Sequence, residues 1–350
     1  MIKHIWYHIV KVWVSIGMFF LLKKKKVYGT ENIPKKGPIL LIGNHQNALV
    51  DALLIPITTS RKIHFLARAA VFKKSLVNKI LRSLNMLPAY RLRDGFRNMD
   101  KNYEVFNKCV EVLHNNGAVE IFAEGEHHLN RRIIPLKKGF ARIILSTLQK
   151  YPNTQIQIVP VGLNYDSRLN YPSSVSIIYG KPILANPYFD IDNPDITFSE
   201  IIDVVTEALK KLTLHIEDQE NYDSIIEKLE NAGVDYLNPF EANEMAKNID
   251  SLKPLNQLNK TNWFLPIHLI TKVNSFIPLF IWGKLKKRIS DIIFTNTFRF
   301  ALIAVLFPLV YFIQSVIIYY FFGKQIAIIY LPASMLLGAI TTKTMKVKFS

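Results

Sequence analysis

One cysteine in 350 residues, Cys109, is too few for an internal disulfide framework or a cysteine-based zinc cluster, and it fits a reducing compartment. Charge is scarce too. Asp, Glu, Lys and Arg make up 20% of the chain against 49% hydrophobic residues, which excludes a disordered tail and a charge-rich nucleic-acid binder. The charge that is present leans one way, 44 Lys and Arg against 27 Asp and Glu, a formal +17. No internal repeat or low-complexity linker interrupts the chain. Basic and apolar together, the composition describes a folded protein working at an anionic, greasy surface, with length for one substantial core and its appendages.

The apolar residues gather at the two ends. Ile5 to Leu22 is interrupted only by His8 and Lys11 and stops at Lys23-Lys24-Lys25-Lys26. A cleaved leader carries its basic residues before the apolar stretch, so this segment reads as an uncleaved anchor. It is slightly short for a span of about 20 residues, and Trp6 and Trp13 suit an interface, so spanning and lying in the headgroup plane both remain open. Phe300 to Phe322 carries no charge and predicts a membrane span; Gln325 to Ile340 predicts a shorter second one. Lys284, Lys286, Lys287 and Arg288 precede the pair, Lys343, Lys346 and Lys348 follow it, and only Lys324 lies between. That bias predicts a hairpin with both ends cytoplasmic.

Between the ends, short β-rich runs (Ile39–Ile42, Ile63–Ala67, Leu87–Tyr90, Ala118–Phe122, Ile156–Gly162, Val175–Tyr179) alternate with helical patterns (Asp51–Thr58, Ser75–Leu84, Asn98–Leu113, Lys138–Leu148). The alternation predicts an α/β class with a mainly parallel sheet flanked by helices and ligand sites on loops at strand ends. The chain then divides into an N-terminal anchor (1–26), an α/β domain (27–190), a helical insertion or lid (191–260), an amphipathic membrane-proximal segment (261–298) and a C-terminal hairpin with a basic tail (299–350).

The loop after the first strand run, Gly43-Asn44-His45-Gln46-Asn47-Ala48-Leu49-Val50-Asp51, offers a histidine and a carboxylate, the pair a general base needs. On one regular helix the two would point about 120° apart, so they meet only if His45 is on the loop and Asp51 in the first helical turn. A capping Asp beside an unrelated histidine reads the same way. After Tyr90, Arg91 and Arg93 can clamp a phosphate or carboxylate, or be a solvated basic loop. Beyond Phe122 comes Ala123-Glu124-Gly125-Glu126-His127-His128, in which Glu124 either binds a substrate hydroxyl or holds the site from beneath. A metal reading of the adjacent histidines fails for want of His-x-x-x-His spacing. Lys137 and Lys138 open a helix, where backbone amides can hold an anion. Val159-Pro160-Val161 puts a proline in a strand, which suits an edge or the last rung beside a cleft.

These blocks, in this order across Asn44 to Pro182, resemble the phospholipid/glycerol acyltransferase family: Asn-His and an Asp, a strand ending in Arg, Phe-x-Glu-Gly, and Val-Pro-Val. The resemblance implies a glycerolipid-acyltransferase fold, with His45 as general base on an acceptor hydroxyl, Asp51 orienting it, Arg91 on the acceptor phosphate and Glu124-Gly125 in the acceptor site. Five residues separate His45 from Asp51 and His128 follows Gly125 by three, which is similar to yeast-type glycerol-3-phosphate and dihydroxyacetone-phosphate acyltransferases. Ala123 stands where the family has Pro, and Glu126-His127 replaces Thr-Arg, so Lys137, Lys138, Arg131 and Arg132 become candidates for the missing phosphate contact. The function so implied is acyl transfer from a thioester to glycerol phosphate or 1-acylglycerol-3-phosphate at the cytoplasmic membrane face. It needs no metal and no cofactor beyond its donor substrate, acyl-CoA or acyl carrier protein. Its partners are membrane lipids and that donor, not nucleic acid. Acylation of another lyso-lipid, such as a lyso-aminolipid, and non-catalytic binding of anionic lipid are the rival readings. Cys109 falls on the stripe Phe106, Cys109, Val110, Leu113 and reads as core rather than nucleophile.

Overall fold

The computed structural model describes residues 2–90, 100–190, 193–255 and 262–346. Helix α1 (Ile2–Leu21) leads into β1 (Leu22–Tyr28). There follow β2 (Ile39–Gly43), α2 (Ala48–Thr58), β3 (Ile63–Arg68), α3 (Ser75–Ser83), β4 (Met86–Ala89), α4 (Asp100–His114), β5 (Ala118–Ile121), α5 (Gly139–Lys150), β6 (Gln157–Tyr165), β7 (Ser173–Tyr179) and β8 (Ile183–Leu184). The strands form one eight-stranded sheet in the order β1-β7-β6-β2-β5-β3-β4, with β8 pairing β6. Neighbours are parallel except β6 with β7 and β6 with β8. The mainly parallel α/β class follows from the sequence alternation, and all six strand runs read there pair in the sheet, joined by β1 and β8.

The sheet buries both faces, which is why β2 reads as an unbroken apolar run rather than an alternating one. Ile39 and Leu41 face a core shared with α1 and α2, while Leu40 and Ile42 face one shared with α4 and α5. Cys109 lies in the second core, and burial pushes its thiol up to about 12.

Two expectations are corrected. The Lys23–Lys26 run is not a flank trailing an anchor; it is the edge strand β1, whose register joins Lys25 to Val175 and Lys26 to Ser176 of β7. Lysines on an exposed edge discourage further strand pairing. The segment read as an insertion or lid begins with α6 (Pro194–Leu212), which is a layer of the sheet: Ile201, Val205 and Leu209 are wholly buried in the second core. Only the following helices, α7 (Tyr222–Asn231) and α8 (Pro239–Lys247), form a separate small cluster around Leu229 and Tyr236.

Helix α1 lies along the domain over its length. Tyr7 Oη accepts from the Ile63 amide, Lys11 Nζ donates to the Thr59 carbonyl, and Val14 and Met18 enter the first core. Its outer face is apolar, with Trp6, Ile9, Trp13 and Phe19 exposed.

Helices α9 (Leu265–Asn274) and α10 (Phe276–Lys286) meet at 83° and expose a largely apolar surface that includes Val273 and Phe276. Among the described residues, two helical runs are long and apolar enough to cross a membrane. The first, Ile292–Phe322, contains α11 (Thr295–Ala301), a π-helical stretch at Leu302–Leu306 and α12 (Phe307–Phe322). The second is α13 (Lys324–Thr344), whose 21 residues rise about 31 Å, a hydrocarbon thickness. The two pack together around a turn at Gly323, and the open end of this hairpin meets the sheet domain. Asn296 Nδ2 donates to the Arg168 carbonyl, and Lys343 Nζ donates to the Leu22 carbonyl.

Candidate active site

The parallel strand β2 delivers its carboxyl end to a four-residue loop, Asn44–Asn47, before α2 begins. Asn44 anchors that loop to β6 by imitating a strand partner: its amide donates to the Leu163 carbonyl at 3.0 Å and accepts from the Leu163 N–H at 2.7 Å. His45 is therefore on the loop and Asp51 in the first turn of α2, the arrangement in which the two can meet. His45 Nδ1 and Asp51 Oδ2 are 3.0 Å apart.

Asp51 is fully buried, and its carboxylate organises the whole turn. Oδ2 also accepts from the backbone amides of Gln46 at 2.8 Å and Asn47 at 2.6 Å, while Oδ1 accepts from Tyr165 Oη at 2.6 Å. These bonds hold the loop although Ala48 has φ +39°, a left-handed conformation rarely taken by an L-residue and tolerated only where its surroundings enforce it. An anionic acceptor at Nδ1 keeps the proton there and leaves Nε2 of His45 with its lone pair free. The imidazole is fixed from two further sides. Phe122 stacks on it with centroids 4.1 Å apart, and His127 meets it edge-on at 4.5 Å.

Glu124 lies beneath this loop, wholly buried. Its Oε2 accepts from the His45 amide at 2.8 Å, and Oε1 is 3.2 Å from His128 Nε2 and accepts from the Ile134 amide at 3.3 Å. Both oxygens are thus engaged with protein. The His128 amide returns to the His45 carbonyl, so the loops after β2 and β5 are laced together. Gly125 has φ +73°, and a Cβ there would sit 3.1 Å from Cγ of Lys137, whose stem crosses the glycine. Lys137 and Lys138 are exposed just before α5.

Arg131 does not reach toward this site as a phosphate ligand. Its guanidinium is buried, donates to the Tyr165 and Asp166 carbonyls and lies 3.3 Å from the Tyr236 ring centre, and burial together with Arg168 pulls its pKa down to about 9. It braces the end of β6 instead. Arg91 and Arg93 lie outside the described residues. Tyr165, Phe122 and the packing role of His127 are parts of the site that sequence reasoning did not single out. Tyr165 has no motif of its own and is 114 residues from the carboxylate it touches. Among the described residues, no group of three or more His, Cys, Asp and Glu could hold a metal ion.

Chemically, the site presents one basic nitrogen, oriented by a buried carboxylate and screened by aromatic rings. Such an array can take a proton from a hydroxyl. The acyltransferase family model matches residues 24–164. Glycerol-3-phosphate O-acyltransferase 2 of Saccharomyces cerevisiae is 31% identical over 128 residues, 36% of this chain and 17% of that protein. The 1-acyl-sn-glycerol-3-phosphate acyltransferase BAT2, chloroplastic, of Brassica napus is 28% identical over 182 residues, 50% of this chain and 49% of that one. The chain thus spans between about a sixth and a half of the length of these relatives. Among solved structures, the 1-acyl-sn-glycerophosphate acyltransferase PlsC of Thermotoga maritima aligns at 21% identity and a TM-score of 0.39, over 57% of this chain and 80% of that one. Residues 24–164, which hold the His45–Asp51 pair, are the part of the chain that is similar to the acyltransferase family.

Proposed function

We propose that the protein is a membrane-bound O-acyltransferase that moves a fatty acyl group from a thioester donor, acyl-CoA or acyl carrier protein, to a hydroxyl of glycerol phosphate or 1-acylglycerol-3-phosphate. The observation that carries the reading is the His45–Asp51 pair, braced by Tyr165, within the segment that matches the acyltransferase family model. His45 Nε2 takes the hydroxyl proton as the oxygen attacks the thioester carbonyl, forming the ester C–O bond. The C–S bond then breaks, and the imidazolium returns the proton to the departing thiolate. Asp51 stabilises the imidazolium between these steps. Glu124 positions the His45 backbone, while Arg91, Arg93, Gly125, His128, Lys137 and Lys138 bind the acceptor and its phosphate. Attack by Cys109 has no support, because its thiol is buried and held protonated. The domain works on the cytoplasmic face, a reading supported by the basic residues at the open end of the hairpin.

The test is His45→Ala in the purified full-length protein, assayed by mass spectrometry of products with both donors and with glycerol phosphate, lysophosphatidate and a lyso-aminolipid. Acyl transfer should fall by about 10²–10⁴-fold with the fold intact. Activity at the wild-type level would overturn the assignment. The engagement of Arg131 with backbone carbonyls favours one second reading, a neutral lyso-lipid acceptor, since it removes one candidate phosphate ligand. Arg91→Ala separates the two: it should abolish transfer to a phosphate acceptor and leave transfer to a neutral one unchanged.

A further inference from the structure

A cavity of about 310 Å³ lies where the membrane hairpin meets the sheet domain, enclosed by α9, α10, the Ile292–Phe322 run and α13. That volume is within the range of small-ligand sites, about 300–1,000 Å³. Its walls are mostly apolar, with Leu279, Leu302, Phe307 and Met335 among them. The π-helical stretch Leu302–Leu306 borders it, and such departures from α geometry recur at functional sites.

One cation faces this apolar space from the domain side. The Arg299 guanidinium lies 5.0 Å from the Trp282 ring centre and 5.5 Å from that of Tyr171, all three lining the cavity. Its Nη1 donates to the Leu169 carbonyl and to Asn296 Oδ1. Among the described residues, no carboxylate pairs with it. The hydroxyls nearby are satisfied by one another, Tyr171 with Thr342, Thr271 with Thr341 and Ser275 with Tyr311, so a ligand here meets the Arg299 charge above an apolar well, with Lys272 a second cation in the lining. The helical run that carries Arg299 also reaches the candidate active site. Phe294, at the start of the same helical run, meets the His127 ring at 5.6 Å, and His127 in turn meets His45.

We propose that this cavity binds a single-chain anionic lipid, its acyl chain running between α9, α12 and α13 and its phosphate or carboxylate paired with Arg299. An apolar chain gains from leaving water, and a guanidinium held between aromatic rings offers its remaining donors to an oxyanion without a competing carboxylate. This deepens the function proposed above by giving the lipid acceptor a seat in the membrane hairpin. Binding can be read without turnover, so the two ideas can fail separately.

The structure supplies a variant that fills the cavity without straining the helix. Gly338 lines it, one helical turn deeper than Thr342, and a Cβ added there meets no atom within 4 Å. Full-length protein in phosphatidylcholine nanodiscs is irradiated with lysophosphatidate carrying a diazirine in its acyl chain, and the labelled residues are mapped by mass spectrometry. Labelling should concentrate on Leu302, Met335 and Trp282. It should fall about tenfold in Gly338→Phe, persist in Gly338→Ala and His45→Ala, and fall about tenfold in Arg299→Gln, the loss expected for a buried charge-assisted bond. Matching fatty-acid and monoacylglycerol probes identify the head: labelling by lysophosphatidate alone assigns a phosphate, labelling by the fatty acid as well assigns any anion, and equal labelling by monoacylglycerol overturns the role of Arg299. Labels spread over the outward residues Phe312 and Ile313, unchanged in Gly338→Phe, would show bulk lipid and overturn the proposal. Acyl transfer without cavity labelling would remove this inference alone, and cavity labelling without acyl transfer would remove the proposed function alone.

Discussion

Asp51 carries four hydrogen bonds with one carboxylate, and no neutral side chain of the same shape can do that. Asparagine offers a single acceptor oxygen, so in Asp51→Asn either the Gln46 and Asn47 amides or the Tyr165 hydroxyl must face an NH₂ group. The variant should lose about 1–3 kcal/mol of stability in chemical denaturation, and kcat should fall by at least about 100-fold as the His45 tautomer is released. Tyr165→Phe removes a single bond and should cost about 1 kcal/mol, with a smaller loss of kcat than Asp51→Asn; equal losses would mean that Tyr165 does more than orient the carboxylate. A second buried carboxylate behaves differently. Glu120 on β5 is wholly buried with neither oxygen partnered among the described residues, and burial, reinforced by the charge of Asp51, holds its pKa well above the carboxylate range. The folded state therefore keeps a proton that the unfolded chain releases once pH passes about 4.3, so stability is highest below that value and declines as pH rises, until Glu120 ionises in the folded protein. Glu120→Met should flatten that decline and raise stability at pH 8 by roughly 1–3 kcal/mol. Denaturation curves at pH 5 and pH 8 test this, and a variant that keeps the wild-type slope would assign it to another group.

At the scale of elements, the close approach of α6 to β6 depends on a residue without a side chain. A Cβ on Gly162 would lie 2.2 Å from the carbonyl oxygen of Leu212 at the end of α6, a backbone atom that cannot swing away. Gly162→Ala should cost about 1–3 kcal/mol by displacing the helix, while Gly139→Ala, where a Cβ meets nothing within 4 Å, should be nearly neutral; urea denaturation of both compares them directly. The same contact explains why part of the fold was legible in the sequence and part was not. Strands such as β2 and β5 announce themselves by β-branched runs between turns, and the His45–Asp51 pairing could be derived from a loop followed by a first helical turn. Helix α6 could not be placed, because Ile201, Val205 and Leu209 make the same stripe whether it faces a sheet or closes over a site. Strand β1 was hidden by its lysines, since only the partner β7 reveals that four adjacent charges are an edge strand. Tyr165 was out of reach for a related reason: its role comes from the parallel register that sets β6 beside β2, and no local pattern records that neighbour.

At the scale of the molecule, the open end of the hairpin is tied to one side of the sheet domain. Asn296 and Arg299 bind the loop carbonyls of Arg168 and Leu169, and Lys343 binds the carbonyls of Phe19 and Leu22, so both helices leave from one side of the sheet. The Gly323 turn lies at the opposite end of the hairpin, with Lys324 beside it as the lone charge between the two apolar runs. Basic residues concentrate at the domain end, and the positive-inside bias supports the proposal that the domain is cytoplasmic. The only thiol, Cys109, is buried and held protonated, so it provides a silent background for labelling. In intact cells a membrane-impermeant maleimide should label Lys324→Cys and spare Lys253→Cys, an exposed position on the domain side. After permeabilisation both should react. The opposite pattern in intact cells would place the domain outside, away from any cytoplasmic supply of acyl thioesters. Labelling of both before permeabilisation would mean that the two apolar helices lie on the membrane without crossing it.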